Sequence, residues 1–238
     1  MRNTINANHG VVGAGSGYGS KRQKEDFYTT GDGAITKLEE VYELPKKIWE
    51  CACGNGALSK QLEENGHTVY STELYKRGYG KQGVDFFSQK KMPSGYDCIC
   101  TNPPFNQAVE FIKHSLSLVS KRKGVVCMLL KLAFLETKQR YEDLFYDNPP
   151  TYVFVFITRL NCYNNDNRNY GSSMMPFAWY VWDNSVKNDA PEILLVRLSN
   201  NSKKKVIRLM LQRQIRMKVI INQFGLLAVL SVLVLLRI

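Results

Sequence analysis

Cysteine and histidine are scarce in this 238-residue chain, at six and three residues. So few cysteines exclude a small disulfide-stapled scaffold. His9, His67 and His114 are scattered, so no His-rich metal cluster and no His-centred catalytic pair is expected. No apolar stretch opens the chain, and its first thirty residues are polar and Gly-rich. A secretory signal is therefore not expected, and a reducing, cytoplasmic location is. Long apolar runs are missing too. The longest, residues 224–236, is thirteen residues and too short to span a bilayer, and Asn222 and Gln223 interrupt its extension back to 219. Acidic residues are absent from residues 199–238, which hold Lys203, Lys204, Lys205, Arg208, Arg213, Arg216, Lys218 and Arg237. Most of the net charge of +11 therefore belongs to that tail, and the body is only mildly basic. Apolar residues at 44% and charged residues at 22% exclude global disorder.

What is present divides into three parts. Residues 1–25 read as a flexible arm, in which Gly13, Gly15, Gly17 and Gly19 alternate with small residues. They do not form a GxGxxG phosphate loop, because Tyr18 stands three positions after Gly15. Residues 26–198 read as one domain. Residues 199–238, basic then apolar, read as a helical tail that is docked or weakly anchored, without stable membrane spanning. Its basic residues suit DNA phosphates, anionic lipid or plain solvation.

Within the domain, strand and helix patterns alternate. Strands are expected at 47–52, 68–74, 83–87, 96–101, 124–132, 151–157 and 177–182, and helices at 57–65 and 108–119. The wholly apolar 124–132 run suits a strand covered on both faces. The pattern implies an α/β fold: a mainly parallel, seven-stranded sheet with helices on both faces. Residues 161–173, rich in Asn, Tyr, Gly and Ser, form a long polar loop suited to base recognition or to solvent.

Four groups of residues carry chemistry. Glu50, Cys51, Ala52, Cys53, Gly54, Asn55 and Gly56 follow the first strand, where small residues allow close approach of a ligand to backbone and helix N-terminus. Glu73 ends the next strand, where an acid can accept both ribose hydroxyls. Asp85 and Phe86 follow; a carboxylate can take an adenine amino group and a ring can stack on the purine. Asn102, Pro103, Pro104 and Phe105 end the strand at 96–101. Two prolines remove two N–H donors, which leaves acceptors for the two hydrogens of a planar amino group, with Phe105 as a stacking face. The pairs Cys51/Cys53 and Cys98/Cys100 could approach one another on neighbouring strands, but their CxC spacing favours packed thiols over zinc.

In this order the motifs resemble the S-adenosylmethionine-dependent DNA adenine-N6 methyltransferases of the small phage and prophage type, over residues 26–198. The resemblance implies the Rossmann-like class I methyltransferase fold, S-adenosyl-L-methionine as cofactor, adenine-containing duplex DNA as partner, no metal, and a bacterial or phage-infected host cell. By the same resemblance, Phe27 and Thr30 of the DFYTT segment close over the methionine end. Glu50, Cys51, Ala52, Cys53, Gly54 and Gly56 form the first cofactor loop, Glu73 is the ribose acid, and Asp85 with Phe86 contacts adenine. Asn102, Pro103, Pro104 and Phe105 become the catalytic tetrapeptide, with Asn102 also beside the cofactor. Residues 132–136, Thr158 with Arg159, and 176–179 extend the likeness. The tail has no counterpart in that family. The cofactor loop precedes the tetrapeptide, which is the non-permuted order, and with residues 161–173 and the tail as the segments available for target recognition, a short or relaxed sequence specificity is expected. Other readings of the same residues are methylation of adenine in RNA or of a protein amide, or a catalytically silent DNA-binding relative.

Overall fold

The computed structural model describes residues 28–121, 123–156, 159–160, 162–164, 175–186 and 192–196. Phe27, the arm, the C-terminal tail and most of the polar loop lie outside the described residues.

Among the described residues, eight strands form one sheet. They are β2 (Lys47–Glu50), β3 (Thr68–Glu73), β4 (Lys81–Gln82), β5 (Cys98–Thr101), β6 (Val125–Lys131), β7 (Tyr152–Phe156), β9 (Phe177–Asp183) and β10 (Glu192–Val196). Their order is β10-β7-β9-β6-β5-β2-β3-β4. All neighbours are parallel except β9, which runs antiparallel to both β6 and β7. This is the mainly parallel sheet that the alternating pattern implies. Two details differ from the sequence reading. The strand expected at 83–87 is the two-residue β4 just upstream, because Asp85 caps a tight turn at Phe86–Ser88 instead of extending. The strand β10 brings the sheet to eight. A separate ladder pairs β1 (Tyr28–Thr30) antiparallel with β8 (Cys162–Asn164).

The strand sequences explain the layering. In β6, Val125, Cys127 and Leu129 face one core while Val126, Met128 and Leu130 face the other. β9 alternates in the same way through Trp179 and Tyr180. A strand covered on both faces needs apolar residues at every position, hence the unbroken run. Helices α1 (Ala34–Glu39) and α2 (Ala57–Glu64) bury Ile35, Leu38, Leu58 and Leu62 on the first face. Helix α3 (Ala108–Val119) buries Phe111, Ile112 and Val119 on the second. Among the described residues no helix is long and apolar enough to cross a membrane.

Candidate active site

Strands β5, β2 and β3 are neighbours, so the turns that follow them converge at one edge of the sheet. A cavity lies there, and Thr30, Glu50, Cys51, Ala52, Cys53, Gly54, Glu73, Asp85, Phe86 and Asn102 to Phe105 all line it. The sequence-predicted groups, separate along the chain, thus share one cleft. Gly56 does not line it. This residue caps α2 in the left-handed region, with φ of 83°, and a Cβ there would lie 2.3 Å from the Tyr79 ring.

The loop after β2 is held between two buried carboxylates. Glu50 accepts the Ala52 N–H at 3.2 Å and the Thr101 hydroxyl, and is 1% exposed. Burial pushes its carboxyl up to about 8, reinforced by the nearby Glu73. Glu73 accepts the N–H groups of Gly54 at 2.8 Å and Tyr75 at 3.1 Å, with Arg77 Nε at 3.8 Å. Each Glu73 oxygen keeps lone-pair capacity for a further donor, such as a hydroxyl. With Glu50 holding its proton near neutral pH, the charged residues lining the cavity are Glu73, Asp85 and Arg77, a set with acids in excess. Such a lining favours a cationic ligand.

At the β3 side, Asp85 uses one oxygen to accept the Phe87 N–H at 2.9 Å and is otherwise exposed. Phe86 is less available for stacking than its sequence position suggests. It is 3% exposed, stacks on Phe111 at 5.0 Å and meets Trp49 edge-on at 5.3 Å. Phe87, half-buried and also in the lining, is the freer ring.

Asn102 stands where β5 ends. Its Nδ2 donates to the Tyr28 carbonyl at 3.2 Å and to the Thr30 hydroxyl at 3.0 Å. Its Oδ1 is buried and has no hydrogen-bond partner. A buried acceptor left unsatisfied is costly, and a bound donor would relieve that cost. Pro103 and Pro104 offer no N–H donor beside it. Phe105 opens the turn into α3, stacks on Tyr28 at 5.4 Å, and has Lys131 Nζ 4.7 Å above its ring.

Tyr28, Arg77 and Lys131 are neighbours of the site beyond the sequence-predicted set. Tyr28 sits inside the DFYTT segment, so its neighbours signal it. Arg77 and Lys131 follow from strand ends alone, and no local pattern marks them. Cys51 and Cys53 are buried in the loop; Cys98, Cys100 and Cys127 are fully buried on β5 and β6. Among the described residues no three metal-ligating side chains gather.

The chain matches no protein-family model and no curated protein. Solved structures share its fold. The methyltransferase subunit of a type I restriction-modification system from Streptococcus thermophilus is 12% identical, with a TM-score of 0.51 over 71% of this chain and 47% of that one. A Listeria monocytogenes protein assigned to the class I S-adenosylmethionine-dependent methyltransferases is 12% identical, with a TM-score of 0.45 over 67% of this chain and 62% of its own. The 23S rRNA methyltransferase ErmE is 14% identical, with a TM-score of 0.44 over 69% of this chain and 71% of its own. At such identities the likeness is one of architecture, the Rossmann-like class I methyltransferase fold, and the chain spans about half the length of the Streptococcus subunit.

Proposed function

We propose that this chain transfers a methyl group from S-adenosyl-L-methionine to the exocyclic N6 amino group of adenine in DNA. The observation that carries the reading is the buried, unpartnered Asn102 Oδ1, an acceptor without a donor beside two prolines and an aromatic ring. The cavity's excess of carboxylates supports a cofactor that bears a positive sulfonium, and its Glu73 oxygens support a ribose. When bound, S-adenosylmethionine supplies an electrophilic methyl group.

The chain's own residues then position rather than react. A base inside a duplex cannot reach the cleft, so adenine must flip out. The stacked pair of Tyr28 and Phe105, both in the cavity lining, offers it an aromatic surface to pack against. The Asn102 Oδ1 and the Pro103 carbonyl accept the two amino hydrogens. Both acceptors draw those hydrogens and enrich the amino nitrogen in electron density as its lone pair forms the new N–C bond. S-adenosylmethionine held in the cavity beside Glu73 and the 50–54 loop would supply the methyl group and would keep the bonding electron pair as a neutral thioether. Once the N–C bond has formed, the amino nitrogen is cationic and strongly acidic, and its surplus proton is lost to water. Rate acceleration rests on orientation and fixed dipoles.

The test incubates the purified chain with unmethylated duplex DNA and cofactor, then identifies methylated nucleosides by mass spectrometry, with Asn102→Ala in parallel. N6-methyladenine from the wild type alone is expected. Methyl groups found only on RNA or protein, or undiminished turnover by Asn102→Ala, would overturn the assignment.

A further inference from the structure

Strand β1 touches the site through three consecutive residues. Tyr28 stacks on Phe105, and its carbonyl accepts from Asn102. Thr29 accepts from the Asn55 side chain of the cofactor loop at 3.2 Å. Thr30 accepts from Asn102. Thr29 and Thr30 are 3% and 4% exposed, so neither is a solvated surface hydroxyl. The strand also pairs with β8 in a ladder separate from the main sheet, with Thr30 opposite Cys162.

A side-chain amide is nearly symmetric in shape and opposite in hydrogen-bonding character at its two ends. Reversed, Asn102 would turn its NH2 toward the substrate amino group, donor against donor, and its oxygen toward the Tyr28 carbonyl, acceptor against acceptor. The carbonyl of Tyr28 can only accept, so it sets the direction of the amide. The Thr30 hydroxyl takes the other amide hydrogen and fixes the rotation. Both hydrogens are thus engaged on the strand side, and the oxygen is left buried and without a donor, on a residue that lines the cavity.

We propose that Thr30 is a positioning residue for methyl transfer: its hydroxyl, acting with the Tyr28 carbonyl, holds the Asn102 amide so that Oδ1 faces the reacting amino group. This rests on the amino-methyltransferase reading above and departs from the expectation that Thr30 serves the cofactor. The substitution Thr30→Val keeps the shape and removes the acceptor; Thr30→Ser keeps the acceptor.

The test uses the full chain and three readouts. The first is turnover on duplex DNA, resolved into kcat and KM. The second is cofactor affinity by calorimetry. The third is the side-chain amide signal of Asn102 in cofactor-bound protein by nitrogen–proton NMR, assigned by its loss in Asn102→Ala. Thr30→Val should lower kcat by about tenfold, the scale of one hydrogen bond, with cofactor affinity kept within about threefold. Its two Asn102 amide protons should exchange faster with solvent. Thr30→Ser should restore both. Wild-type kcat and an unchanged amide signal in Thr30→Val would overturn the proposal. So would a fall in cofactor affinity that accounts for the whole loss of turnover, which would make Thr30 a cofactor ligand. If the wild type methylates no DNA, the function reading fails, while the amide signal still decides the role of Thr30.

Discussion

The Glu73 carboxylate accepts the backbone N–H of Gly54 at 2.8 Å, which ties the end of β3 to the loop after β2. One side chain therefore shapes the loop and offers its remaining lone pairs to the cleft. Glu73→Gln keeps the shape and removes the charge. Hydrogen bonds to charged groups contribute about 1.5–3 kcal/mol, so cofactor affinity should fall about 10- to 100-fold. Calorimetric titration checks this, and the stabilisation conferred by saturating cofactor should shrink in step.

Glu50 makes stability and binding depend on pH. Its carboxyl is raised by burial from 4.5 to about 8, so between those values the folded chain holds a proton that the unfolded chain has released. Stability should therefore fall as pH rises through that window. Glu50→Gln should flatten the dependence, as read from denaturant unfolding at each pH. Glu73 is the charged neighbour that adds to the shift. A cationic ligand favours the ionised carboxylate, so cofactor binding near neutral pH should release part of a proton, and the release should fade as pH rises above the Glu50 value of about 8. Calorimetry in buffers of different ionisation heat counts that proton.

Gly56 and Tyr79 should couple. A side chain at Gly56 meets both a left-handed backbone and the Tyr79 ring. The backbone alone costs about 1–2 kcal/mol, and Gly56→Ala should exceed that. Adding Tyr79→Ala should recover the steric part, which a double-mutant cycle on unfolding free energies would resolve.

The thiols should be inert in the folded chain. Burial pushes Cys51, Cys98 and Cys127 well above the ordinary thiol range, and Cys100 up to about 11. Because the thiolate is the nucleophile, a disulfide reagent at pH 8 should modify these four only on unfolding. Cys53, in the cavity lining, should gain further protection from bound cofactor.

Much of this fold was legible because its signals are local. The 124–132 run, the proline stop at Pro103 and Pro104, and the helical spacing of Leu58 and Leu62 each announce an element by themselves. The turns at strand ends could be ordered into one cleft because parallel neighbours bring like ends together. Phe86 misled for a physical reason: a Phe after an acid reads as a stacking face, yet its neighbours Trp49 and Phe111 come from β2 and α3 and draw it into the core. The strand pair β1 and β8 was invisible, because three-residue strands carry no period and their pairing joins opposite ends of the domain. The direction of the Asn102 amide was invisible for the same reason, since its partners lie 72 and 74 residues upstream.

That long-range ladder also sets an order of assembly. Sheet strands β2, β3, β5 and β6 can associate as the chain grows, since β3, β5 and β6 each pair with a strand already made. The β1–β8 pairing closes nearly the whole domain, and such non-local contacts form late. During synthesis the cofactor loop and the catalytic tetrapeptide are therefore made well before Cys162–Asn164 arrive to hold β1. A nascent or truncated chain that stops short of β8 has every motif of the cleft, while the strand that aims Asn102 lacks its anchor.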